Sequence, residues 1–86
     1  MPVLFPNVET WDGGRMVVSF PAELAGRRIN CAVSIEALQD HFDGDNQELV
    51  AAFRAHRSQI EYIAEWLILR QRFEPDGSIL VRTQDC

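Results

Sequence analysis

The stretch "DHFDGDNQE", residues 40 to 48, sets four carboxylates and a histidine within nine positions. Carboxylate oxygens and an imidazole nitrogen so close together are the donor set of a divalent-cation site. A calcium-binding EF-hand loop needs oxygen ligands at positions 1, 3 and 5, glycine at 6 and glutamate at 12. Counted from Asp43, position 6 is Glu48 and position 12 is Arg54; counted from Asp40, position 3 is Phe42. Both registers fail. What remains is a looser Mg²⁺ or Mn²⁺ site on His41, Asp43 and Asp45. The competing reading is structural: Gly44 stops one helix in a left-handed C-terminal cap, and Asp45 with Glu48 forms a capping box that starts the next.

The other reactive side chains carry less. Cys31 lies in an apolar run and reads as a small buried hydrophobe, while Cys86 is an exposed terminal thiol. His56 falls on an apolar helical stripe, where a core histidine bonded to a neighbour is the default and a general base or pH switch the alternative. No Ser-His-Asp order, HExxH, P-loop or GxGxxG occurs, so no catalytic residue, enzyme activity or cofactor is expected.

A different pattern stands out between residues 47 and 73. Leu49, Phe53, His56, Ile60, Ile63 and Leu67 recur at helical spacing, with Ala64 alongside, and make a core-facing stripe. Tyr62, Trp66, Leu69 and Phe73 form a second row on nearly the opposite side. Arg54, Arg57, Glu61, Glu65 and Arg72 run between them as a solvated band. A helix apolar on two sides must be covered on two sides. The apolar "VLF" of the N-terminus can cover the second row, or another subunit can; a Tyr-Trp-Leu-Phe row has the composition of an interface core.

These residues need elements to carry them. The chain has 86 residues, 47% of them hydrophobic and 24% charged, which predicts one globular domain. Residues 1–14 read as an N-terminal arm with a turn at "WDGG", and residues 15–33 as a β-hairpin. In the hairpin Met16, Val18 and Phe20 share one side with Ile29, Cys31 and Val33, and Pro21 limits pairing at the far end of the first strand. A short helix follows over 35–43, N-capped by Ser34. A long helix spans 46–73 and a final strand 78–84. The expected fold is α+β and two-layered: a three-stranded antiparallel sheet on two helices, in the order β-β-α-α-β.

The basic residues are eight arginines with no lysine, and the net charge is -5. Such a domain is repelled by phosphate backbones and anionic lipid, so neither nucleic acid nor membrane is expected as a partner. No window approaches a membrane span and the N-terminus lacks a signal peptide's cationic start, which makes the cytoplasm the expected location.

Taken in order, "FPN", "WD", "VSFPAEL", "GRRINCAVSIEALQDHF" and "AFRAHRSQIEYIAE" resemble a family of small bacterial domains of unknown function, number 1488 in that series. The likeness covers nearly the whole chain and is most specific over "INCAVSIEALQDHF". It implies a compact two-layer α/β fold and no activity. The leading expectation is therefore a non-enzymatic interaction or regulatory domain, binding a protein partner or itself as a homodimer. The alternative is a small-ligand or divalent-metal accessory domain built on the acidic joint.

Overall fold

The computed structural model describes residues 3–44 and 48–86. It contains β1 (Thr10–Asp12), β2 (Val17–Leu24), β3 (Arg27–Ser34), α1 (Ile35–His41), α2 (Leu49–Ala55), α3 (Arg57–Leu69), β4 (Ile79–Val81) and a 3-10 turn at Thr83–Asp85. No described helix is long and apolar enough to cross a membrane.

The α+β class holds, but the sheet is four-stranded and mixed where three antiparallel strands were expected. Its order is β1-β2-β3-β4, with β1 to β3 antiparallel and β4 parallel to β3. The extra strand, β1, is the piece of the arm just before the Gly13-Gly14 turn. At three residues it is too short to show alternation in sequence. The parallel pairing follows from the crossover: the chain leaves the end of β3 and α3, about 20 Å long at 1.5 Å per residue, returns it along the sheet.

The hairpin forms much as the alternation predicts. Val18, Phe20 and Ala22 of β2 and Cys31 and Val33 of β3 are buried, whereas Met16 is half exposed and lies outside the strand at φ 59°. Pro21 does not end the pairing: it sits opposite Asn30, and the ladder runs on to Leu24. The Glu23 amide donates to the Leu4 carbonyl on the outer edge of β2. Pro21, two residues earlier, therefore turns its missing N–H toward that same edge, beyond the end of β1, and no bond to β3 is lost.

Ser34 caps α1 as expected, its Oγ accepting from the Ala37 amide at 3.2 Å. The cap at the other end is corrected. Asp43, not Gly44, takes the left-handed conformation (φ 64°). Gly44 is needed for another reason: its amide bonds the Leu38 carbonyl, and a Cβ there would stand 2.9 Å from the Leu38 backbone. Asp45, Asn46 and Gln47 lie outside the described residues. Glu48 is the N-cap of α2 rather than the third residue of a capping box.

The long helix expected over 46–73 is two helices. His56 leaves the helical region (φ -120°, ψ 22°), ending α2 and opening α3. No proline or glycine marks this joint. It lets α2 lie against α1 and β2 while α3 packs on β4. The far end also comes early, in a Schellman cap: the Arg72 amide bonds Leu67 O at 2.9 Å, the Gln71 amide bonds Ile68 O at 3.0 Å, and Gln71 sits at φ 57°. A side chain held left-handed is strained, so Gln71→Gly is expected to stabilise the fold by about 1 kcal/mol. The check is a higher urea midpoint at unchanged slope.

The core lies between the helices and one face of the sheet. Phe20 and Phe53 meet at its centre with ring centroids 5.2 Å apart, beside Leu38, Ile60, Ile79 and Val81. The other sheet face carries Thr10, Ser19, Arg28 and Asn30, which line a shallow cleft of about 180 Å³.

Candidate functional site

The two rows on α3 separate cleanly. Ile60, Ala64 and Leu67 are buried against the core. Tyr62, Trp66 and Leu69, about 200° away around the helix, are 71%, 43% and 54% exposed. Phe73, just beyond the Schellman cap, is 41% exposed. The N-terminal "VLF" does not cover them. Val3 joins the core, Leu4 bridges to Glu23, and Phe5 packs on Phe20 with centroids 6.2 Å apart, all on the β2 side.

The face has shape as well as area. Beside Tyr62 and Ile63 runs a mostly apolar groove of about 470 Å³, walled by His41, Phe42 and Cys86. A smaller one of about 260 Å³ lies between Tyr62, Trp66 and Asp85. The Arg70 guanidinium sits 4.9 Å from the centroid of the Trp66 ring, so the indole is held by a cation–π contact. That Phe42, Asp85 and Cys86 wall these grooves could not be read from sequence, since only the tertiary fold brings α1 and the terminal turn beside α3.

The band expected to be solvated is partly clamped. Glu9 bonds Arg57 and also accepts from Arg54 Nε at 2.8 Å; Arg57 reaches Glu61 at 3.3 Å and lies 4.8 Å over the Phe53 ring. The Arg57–Glu61 pair follows from i, i+4 spacing. Glu9 could not be found that way, being 48 residues from Arg57. This half-buried cluster ties the N-terminal segment to the joint between α2 and α3.

The residues of the metal alternative fall as follows. His41 is exposed at the end of α1, Asp43 is exposed in the cap, and Asp45 lies outside the described residues. Asp40 accepts from Thr83 Oγ1 at 3.2 Å and ties α1 to the terminal turn. Among the described residues no group of three or more His, Cys, Asp or Glu side chains could hold a metal ion. His56 Nδ1 is 3.0 Å from Gln59 Oε1 and its ring stacks 5.4 Å from Phe42. It is a half-buried histidine that joins two helices.

Cys31 is buried, and burial pushes its thiol up to about 12; Cys86 is exposed, its thiol raised by partial burial and by Asp85. In the native protein one thiol per chain is expected to react with excess Ellman's reagent at pH 8, and the second only in denaturant. The linkage has a definite sign. Above the ordinary thiol pKa the unfolded chain releases the Cys31 proton and the folded chain keeps it. Stability is therefore expected to fall as pH rises from about 9 toward 12, a fall that Cys31→Ala should lessen in urea melts across that range.

Comparison with known proteins gives a consistent result. The sequence profile described as "Protein of unknown function (DUF1488)" matches residues 3–81. The chain is 41% identical over 76 residues to the uncharacterised protein YrdB of Escherichia coli K12, covering 87% of this chain and 89% of that one. It is 40% identical, over the same shares, to YrdB of Shigella flexneri. The crystal structure of a DUF1488 protein of unknown function from Shewanella loihica is similar with a TM-score of 0.80 and 30% identity, over 92% of this chain and 90% of that one.

Proposed function

The chain belongs to the DUF1488 family of proteins of unknown function, and from its α3 face we propose that it is a non-enzymatic protein-interaction module. One observation carries this: Tyr62, Trp66 and Leu69 share the outer face of α3, each more than 40% exposed, and Tyr62 and Trp66 line one groove. Single exposed apolar residues are ordinary on a protein surface, but a contiguous set flanked by grooves is the mark of a binding surface. Tryptophan and tyrosine are also the side chains on which interface energy concentrates. A net charge of -5 speaks for a protein rather than a phosphate backbone as partner.

Affinity capture at moderate salt tests the reading, with Trp66→Ala bait as control. The expected result is one stoichiometric protein, the chain itself or another, that the variant fails to retain. Identical captures by the two baits would overturn it.

A further inference from the structure

We propose that the sheet face turned away from the helices binds a small oxyanion, the phosphate or carboxylate group of a metabolite, in the cleft that Arg15 and Arg28 line. The strand register builds the site. Thr10 stands opposite Ser19, and Ser19 opposite Ala32, so one row of side chains crosses three strands on this face. Asn30 and Arg28 follow Ala32 at steps of two along β3 and so point the same way. Arg15 enters from the turn ahead of β2. Ala32, only 4% exposed, is part of the cleft's buried lining.

The chemistry of the lining points to an anion. Its polar side chains are two guanidinium groups, the hydroxyls of Thr10, Ser19 and Ser78 and the amide of Asn30; all can donate, and no carboxylate is among them. Arg54, Arg57 and Arg82 are ion-paired within the chain, and Arg70 lies over Trp66. Among the described residues neither the Arg15 nor the Arg28 guanidinium has an ion pair or a hydrogen bond, and the Thr10, Ser19 and Asn30 side chains bond no protein group. Only Ser78 is engaged, its hydroxyl donating to Asp76 Oδ1 at 2.6 Å. Three carboxylates stand outside the lining. Asp12 accepts from the Arg15 amide, Asp76 is bonded to Ser78 and lies in the field of Arg15, and Glu23 faces Arg28 across the ladder without an ion pair. A guanidinium offers paired N–H donors in a plane, the geometry that carboxylate and phosphate oxygens accept.

Size sets the class of ligand. At about 180 Å³ the cleft is far larger than a single water needs. It is smaller than the roughly 300–1,000 Å³ of pockets that enclose drug-sized molecules. An oxyanion with a short carbon skeleton fits these bounds; a nucleotide does not. The site lies on the sheet, apart from the outer face of α3, and so adds ligand binding to the interaction surface already described.

Amide NMR titration tests the site, with inorganic phosphate and acetate as probes and chloride at matched ionic strength as control. At low salt, where the arginines are least screened, one probe or both should shift the Ser19, Asn30 and Ala32 amides and saturate with a Kd of about 1 mM or below. The tighter of the two tells whether phosphate or carboxylate is the better fit. Arg15→Ala and Arg28→Ala should each weaken binding at least about tenfold. Both side chains are exposed, and the spectrum itself shows that each variant is folded. Arg72→Ala, an exposed arginine outside the cleft, should bind as wild type does. Shifts that do not saturate with either probe by about 20 mM, or that chloride reproduces, would overturn the site, as would wild-type affinity in both cleft variants. Trp66→Ala should leave the titration unchanged, so this site and the α3 surface stand or fall separately.

Discussion

Trp66→Glu is expected to leave the fold standing and to abolish association. The indole is 43% exposed on the outer side of α3, with the guanidinium of Arg70, the C-cap of that helix, over its ring. A glutamate there buries nothing and keeps an opposite charge beside Arg70, so stability should stay within about 0.5 kcal/mol of wild type. At the surface the effect is large. A tryptophan near the centre of an interface is worth about 2–4 kcal/mol, and a carboxylate in its place adds the cost of burying an unpaired charge. Binding should fall by more than about a hundredfold. Urea melts paired with affinity capture separate the two effects: an unchanged midpoint with the partner lost is expected. A variant that unfolds would mean that Trp66 belongs to the core.

Phe53→Ala should do the reverse. Phe53 is fully buried, its ring tilted against Phe20 with centroids 5.2 Å apart, under the Arg57 guanidinium and one turn before the His56 joint between α2 and α3. Removing the ring leaves a cavity where sheet, helix joint and N-terminal segment meet, at a cost of about 3–5 kcal/mol. A domain of this size has about 4–13 kcal/mol in total. The urea midpoint should therefore fall to a fraction of the wild-type value, or the chain should be largely unfolded without denaturant. A loss under about 1 kcal/mol would contradict the placement of Phe53 at the centre of the core.

The contrast between these two positions was visible in the sequence. Phe53 and Trp66 fall on different rows of one helical pattern, and period alone separates them. The Ser34 cap and the Ile29–Cys31–Val33 alternation were equally legible, because each depends on neighbours within a few residues. What was missed depends on distance or on three-dimensional room. β1 is three residues of ordinary composition whose partner is β2. The parallel entry of β4 depends on the length and path of the whole crossover. The break at His56 has no helix-breaking residue to announce it; it shows only in packing, with α2 on one strand and α3 on another. Gly44 was assigned the wrong task because a sequence cannot show how near the Leu38 backbone comes. The exposure of the second row rests on where Val3, Leu4 and Phe5 go, and those bind the β2 side.

Hydroxyl-radical footprinting addresses the claim that the outer face of α3 is the binding surface. The chain is oxidised dilute, then concentrated, and again within any captured complex, and labelled side chains are read by mass spectrometry. Tyr62, Trp66, Leu69 and Phe73 are expected to lose most of their labelling in the associated form. Trp11 and Met16, comparably exposed at 42% and 50% but carried by β1 and the turn that follows it, should label equally in both. Protection of Trp11 and Met16 with the α3 row still fully labelled would contradict the account and move the binding surface to that part of the sheet.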